Sequence, residues 1–392
     1  MASGGSSGQP RAVPDHTRSL PDLEDIEAAR PPPTAETIPS QRPLPHILED
    51  GITELWSPPN PARIVADIYF VHGLMGHPFK TWYHQKASPS QKTQDNPESK
   101  RHGLSKIFGR KREGKRETSG NASEAPSQKG RGCYWPLDLI PSDFDNVRVL
   151  TCGYDSHPTR FLAGGNQMNI SQHAQNLLQR VRTTRNHCQG RPIIFVAHSL
   201  GGILVEDAIV ESGKYKHQPA LLDISRSCVA IFFFGTPHHG SDAAKYGETL
   251  GKMLEICGSK VNKEILRGLQ RNGEKLSAVE RDFNDLLNEE LPPSEKLQIC
   301  SFQEGKTVTG LKFFPIGKVV EDSSSFFNRR DIENSMFINE NHMEMARFRS
   351  AQTQGYVDFR SRLKDYLHKI ETTANARRAR DQAQEAERAG VS

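Results

Sequence analysis

The residues of this chain best suited to chemistry are Ala197-His198-Ser199-Leu200-Gly201. A serine with a minimal side chain two positions away on either side suits a turn too sharp for anything larger. Such a turn thrusts the hydroxyl out of a sheet edge, where it can attack a carbonyl carbon. Ala197 stands where the strict pattern has glycine and keeps the steric requirement. The same pentapeptide also occurs in ordinary glycine-rich turns between a strand and a helix, so on its own it leaves nucleophile and plain turn both open.

What must position the serine is a strand that ends on it and a helix that leaves from it. Ile193-Ile194-Phe195-Val196 is too short for a helix, apolar at every position and rich in β-branched and aromatic residues, so it reads as a strand buried on both faces. After Gly201 and Gly202, Leu204, Ala208 and Ile209 recur on one helical face. Further strands are predicted over 63–73, 146–154 and 228–234, and then in "LQICSFQEG" and "GKVVED". Ile170, Ala174, Leu177, Leu178 and Val181 set a helical stripe capped near Ser171. Strands that alternate with helices give an α/β fold with a largely parallel sheet and helices on both faces. Sites in such sheets lie at the carboxyl ends of the strands, where the polar motifs of this chain also fall.

With 392 residues, 35% of them hydrophobic, the chain holds enough for one domain of about 250 residues and for segments that do not pack. Twelve of the 25 prolines fall in residues 1–61, which are therefore expected to form a disordered arm. The arm lacks an apolar core and carries "PDLEDIEAAR", which excludes a signal or transit peptide. Between His84 and Gly132 the only large apolar residues are Leu104, Ile107 and Phe108, beside a basic cluster of Lys106, Arg110, Lys111, Arg112, Lys115 and Arg116. This reads as a disordered surface insertion over 84–132. Its plain role is solvation, and its sharper roles are a nuclear-import signal or a peripheral contact with anionic lipid membranes. A net charge of +4 is too small to call for a nucleic-acid partner. No apolar run reaches the roughly 18 residues of a membrane span. The six cysteines show no C-x-x-C spacing, which points to buried free thiols in an intracellular, reducing compartment.

Between 237 and 293, Val279, Phe283, Leu286 and Leu287, and Val261, Ile265 and Leu269, predict two or three amphipathic helices. They either pack on the sheet or form a cap over Ser199. A last helix carries Phe359, Leu363, Tyr366, Leu367 and Ile370, and runs into a charged tail over 371–392. The body of the protein is thus expected over 62–370.

The stretches "DIYFVHGLMGHPFKTW", "WPLDLIP", "AHSLGG", "FFFGTPHHGSD", "SFQEG" and "ENHMEMARF" together resemble the SERAC-type serine esterases of the α/β-hydrolase superfamily, over residues 64–348 with a gap for the insertion. The resemblance implies an α/β-hydrolase fold with a helical cap-like insertion. It also implies a serine esterase or lipase that cleaves carboxylic esters, lipid or other hydrophobic acyl esters foremost, through an acyl-enzyme on Ser199. The oxyanion hole would be the backbone N–H groups of Leu74 and Leu200. The base would be His342, in keeping with the chain order serine, acid, histidine of such triads, and the acid Glu304, with Asp322 and Asp242 as rivals. His72 is expected to brace its loop, and His238 and His239 to serve as scaffolding. No metal and no cofactor is implied, and the substrate is a small-molecule or lipid ester. Some members form the front domain of larger receptors, an architecture not expected here. The setting implied is cytoplasmic, with association to mitochondrial or endoplasmic-reticulum membranes in view and secretion excluded. The alternative is a non-catalytic recognition or signalling module on the same fold.

Overall fold

In a computed structural model of the chain, residues 42–86, 131–157, 170–239, 243–256, 263–292, 295–307 and 318–390 are described, and all structural statements concern these. The basic cluster of the insertion, Asp242 and Cys257 lie outside them.

The apolar runs assemble into one seven-stranded sheet. Its strands are β1 (Gly51–Trp56), β2 (Ala66–Val71), β3 (Val147–Gly153), β4 (Ile193–His198), β5 (Cys228–Phe234), β6 (Gln298–Glu304) and β7 (Glu333–Ile338). The spatial order is β1-β3-β2-β4-β5-β6-β7, parallel throughout except for the antiparallel edge strand β1. β2 and β4 are buried at every position because helices cover both faces of the sheet. Alternate residues feed two cores. Tyr69, Val71, Phe195 and Phe233 pack with α1 (Ile170–Thr184), α2 (Leu200–Lys214), α3 (Pro219–Ser227), α4 (Ala243–Ile256) and α5 (Lys263–Leu287). Ile68, Phe70, Val196, Phe232 and Phe234 pack on the other side with Trp82, Trp135 and the helix α6 (Gln354–Gly390). Phe70 sits edge-on to Trp82 at 5.1 Å and to Trp135 at 5.0 Å, and burying one such ring contributes about 1.5–3 kcal/mol. This strand order in a mostly parallel sheet, with helices on both faces, is the α/β-hydrolase arrangement.

Some expectations need correction. The arm was expected to be disordered through residue 61, yet Gly51–Trp56 is a strand. No proline falls inside these six residues, so they pair with β3 through a ladder whose register shifts once, between Glu54 and Trp56, and Thr53 and Leu55 are buried while Glu54 is exposed. "GKVVED" supplies no strand: Val319 and Val320 are buried, but the chain there forms no ladder. The last strand is Glu333–Ile338, whose polar residues suit an edge and hid it from a search for apolar runs. α1 begins at Ile170, beside the expected cap position, and Ser171 in its first turn donates to Asp207 at 2.8 Å. The charged tail is helical as far as Gly390, and residues 375–387 are exposed.

Other expectations stand as described. Two helices, α4 and α5, occupy the stretch between 237 and 293. The neck of the insertion is closed by a two-residue ladder in which His84 pairs with Cys133 and Tyr83 with Tyr134. The five described cysteines are free, four of them buried and Cys188 half-buried.

Candidate active site

The sharp turn at Ser199 is visible in its backbone. Its φ of 55° and ψ of −132° lie outside the ordinary regions for a residue with a side chain, a strain held in place by the strand before it and the helix after it. Ser199 N–H donates to the Phe234 carbonyl of β5 at 2.8 Å, so the elbow is tied to the neighbouring strand. Two glycines permit the close approach of the loop after β2. A methyl group on Gly201 would stand 2.2 Å from the His72 carbonyl oxygen, and one on Gly73 would stand 2.6 Å from Ser199 Cβ.

Opposite the serine, the loop after β7 brings His342 into place. Ser199 Oγ and His342 Nε2 are 3.0 Å apart, a distance at which the hydroxyl donates to the ring. The loop is pinned from three sides. Asn341 Oδ1 accepts from the N–H groups of Met343 and Glu344 at 3.0 and 3.1 Å. Trp135 Nε1 donates to the Ala346 carbonyl at 2.9 Å. His198 Nε2 donates to the carbonyl of His342 itself at 2.9 Å, across 144 residues of sequence. Burial holds His198 neutral, with its pKa lowered to about 3, which leaves the Nε2 hydrogen on the ring for this bond.

Behind His342 stands Glu304, the last residue of β6. Its Oε1 is 3.4 Å from His342 Nδ1 and accepts the Val320 N–H at 2.7 Å. The approach falls short of a formed hydrogen bond: His342 Nδ1 and Glu304 Oε2 have no hydrogen-bond partner among the described residues. Contacts of this kind tighten when a substrate binds. Asp322 lies elsewhere, in an exposed turn with its carboxylate 2.5 Å from Lys318 Nζ. Asp242 is outside the described residues.

Ser199, His342 and Glu304 expose only 3%, 2% and 1% of their surface, so any charge that develops among them is little screened by water. The N–H groups of Leu200 and Leu74, the expected oxyanion donors, meet no backbone acceptor among the described residues. Leu200 opens α2, where an N–H has no intrahelical acceptor. In the loop after β2, Met75 N–H is bonded to the Ser156 carbonyl and Gly76 N–H to the Gly73 carbonyl, each at 3.0 Å, while Leu74 N–H meets no acceptor among the described residues.

The remaining histidines brace loops. His72 Nδ1 donates to the Gly73 carbonyl at 3.0 Å, and its ring stacks on Tyr154 at 4.3 Å. Burial lowers its pKa to about 4, so it stays neutral. His238 Nδ1 lies 2.7 Å from Glu206 Oε1, both fully buried, and burial favours the uncharged form of each. His239 Nδ1 lies 2.7 Å from Glu280 Oε1 of α5. Among the described residues no group of three or more His, Cys, Asp or Glu side chains is placed to hold a metal, and no helix is long and apolar enough to cross a membrane.

Two residues at the site escaped the sequence. His198 occupied the unconstrained position of the pentapeptide, and its partner is remote in the chain. Met253 of α4 places its sulfur 3.5 Å from Ser199 Oγ, a contact that depends on where a helix docks.

No family model matches the chain. It is similar to Protein SERAC1 from Danio rerio, with 28% identity over 242 residues that cover 59% of this chain and 31% of that protein. Protein SERAC1 from Bos taurus is 27% identical over 243 residues, 62% of this chain and 30% of that protein. The chain thus spans about a third of the length of these curated relatives. They bear out the resemblance to SERAC-type proteins read in the sequence. Among solved structures, the mature lipase BlEst2 of Bacillus licheniformis aligns with a TM-score of 0.42 and 14% identity, over 80% of this chain and 97% of that chain. Esterase B of Lactobacillus rhamnosis aligns with a TM-score of 0.41 and 10% identity, over 82% and 81%.

Proposed function

We propose that the protein is a serine hydrolase of carboxylic esters whose triad is Ser199, His342 and Glu304. The observation that carries this reading is the 3.0 Å contact of Ser199 Oγ with His342 Nε2, backed by the Glu304 carboxylate at 3.4 Å from the other ring nitrogen. His342 takes the hydroxyl proton as Oγ attacks the ester carbonyl. The oxyanion of the tetrahedral intermediate is met by the N–H groups of Leu74 and Leu200, each donor of this kind being worth about 10² to 10³ in turnover. His342 then returns the proton to the leaving alcohol, and an acyl-enzyme remains on Ser199. A water molecule, deprotonated by the same imidazole, releases the acid. Glu304 holds the imidazole with Nδ1–H toward itself and favours the cation that forms. The apolar surroundings of the serine suit a hydrophobic acyl group, lipid esters included, and the free thiols suit an intracellular setting.

The test is hydrolysis of p-nitrophenyl butyrate by the full chain and by Ser199→Ala. The variant is expected to lose about 10⁴ to 10⁶ in turnover with an unchanged unfolding transition. Turnover near that of the unmodified protein would end this reading.

A further inference from the structure

Ser199 is ready for chemistry and yet sealed. Only 3% of its surface is exposed in the conformation described. The seal has a particular source. Oγ is approached by His342 of its own triad, by the Gly73 loop and by the thioether of Met253, 3.5 Å away. The first two belong to the catalytic machinery and must stay where they are. Met253 belongs to α4, whose buried Tyr246, Leu250, Met253 and Leu254 recur at helical spacing and share a core with Leu74 and Leu200. The Tyr246 hydroxyl fastens this helix from the same face, donating to the His238 carbonyl at 2.6 Å. A thioether is a poor hydrogen-bond acceptor, so its contact with Oγ is one of packing, and three rotatable bonds let the side chain swing where a branched one would be fixed.

We propose that Met253 is the acyl-selecting residue of this site: its side chain fills the volume above Ser199 Oγ that the acyl chain of the substrate must take. This rests on the triad reading given above and adds the substrate class. The group that enters replaces a flexible, unbranched, apolar side chain among leucines, so the fitting acyl chain is itself unbranched and apolar. A charged acyl group would be buried there without a partner. The length accepted is set by how far residue 253 reaches.

The experiment uses the full chain and a series of ethyl, butyl and octyl phosphonofluoridates, with the rate of adduct formation followed by intact mass. In each reaction the Oγ–P bond forms, the P–F bond breaks, His342 receives the hydroxyl proton and fluoride leaves. Ratios of rates within one variant are independent of the fraction folded, so a poorly folding variant still reports. In Met253→Ala the octyl-to-ethyl ratio is expected to rise about tenfold, and in Met253→Phe to fall by about the same factor, the discrimination a few methylene groups give in an apolar pocket. Equal ratios in all three proteins, with Ser199 labelled, would overturn the role of Met253 and leave the triad standing. Failure of every probe to label Ser199 in any of the three would remove the triad and this proposal together.

Discussion

At the amino ends of the central strands the wholly buried Asp67 is matched by three arginines, with Arg148 at 2.8 Å, Arg185 at 2.9 Å and Arg191 at 3.1 Å. Arg185, the residue after α1, reaches on to Asp223 of α3 at 2.9 Å, so β2, β3, α3 and the turns after α1 and before β4 meet on one ion network. At the carboxyl ends of the same sheet, polar groups are just as buried but incompletely paired: His72 Nε2, Thr236 Oγ1, Glu304 Oε2 and His342 Nδ1 have no hydrogen-bond partner among the described residues. The strained backbone of Ser199 lies there too. A buried polar atom without a partner costs about 1–3 kcal/mol, so this end is the less stable of the two by construction. One end of the sheet is arranged to hold, and the other keeps spare hydrogen-bonding capacity where protons would move.

The comparison is broken most sharply at Glu304. Glu304→Gln keeps the shape of the side chain but favours the wrong imidazole tautomer, and is expected to lower turnover by about 10³ to 10⁴ with little change in stability. Asp322→Asn, which touches only the exposed pair with Lys318, is expected to leave turnover within about twofold. Steady-state kinetics on a p-nitrophenyl ester separates the two, and equal losses would remove Glu304 from its place.

At the other end the effect is on stability. Asp67→Ala leaves Arg185, 1% exposed, without its buried partner on β2, and is expected to lower unfolding free energy by about 3–5 kcal/mol. Turnover per folded molecule should hold. Urea unfolding combined with active-site titration reads both quantities, and a large loss of turnover per folded molecule would erase the distinction between the two ends.

Taken per histidine and per pH unit, the smallest effects come from pH. Burial lowers the pKa of His72 to about 4 and of His198 to about 3. In the unfolded chain both titrate near 6.5, so below that pH the unfolded state binds protons that the folded state refuses. Their contribution is complete above about pH 6.5 and is lost as pH falls, by up to about 1.4 kcal/mol per histidine per pH unit. His239 runs the other way. Its hydrogen bond to Glu280 raises its pKa, so its stabilisation is complete below about pH 6.5 and fades as pH rises through the raised value. His239→Gln should therefore cost more at pH 6 than at pH 8, and His198→Gln should flatten the acid limb. Unfolding free energies across pH 4.5–8 check both, and a flat wild-type curve would contradict the neutral state of the buried histidines.

What the sequence disclosed follows from how local each signal is. The strand ending at His198, the elbow and the helix after it are continuous in the chain, and each writes its own pattern, apolar run, small residues, then a stripe. Glu304 and His342 are nominated by the chain order that the resemblance implies, and in the structure Glu304 ends β6 while His342 lies between β7 and the last helix. The strands β1 and β7 were missed because edge strands need only part of their residues apolar, and Glu333–Ile338 leaves Phe337 58% exposed. Val319 and Val320 looked like a strand because burial and ladder pairing give the same apolar signature. The convergence of Arg148, Arg185 and Arg191 on Asp67, the bond from His198 to the His342 carbonyl, and Met253 over the serine are products of docking, and no spacing along the chain encodes them.

The central claim is that Ser199 is a nucleophile activated by His342. Its most direct test is peptide mapping of the full chain after reaction with a fluorophosphonate, which reacts with activated serines and spares ordinary ones. One adduct is expected, on the peptide that carries Ser199, absent from Ser199→Ala and formed at least 10² more slowly in His342→Ala, which lacks the general base. No adduct, or an adduct on another residue in a protein whose Ser199→Ala variant still hydrolyses esters at the full rate, would contradict it.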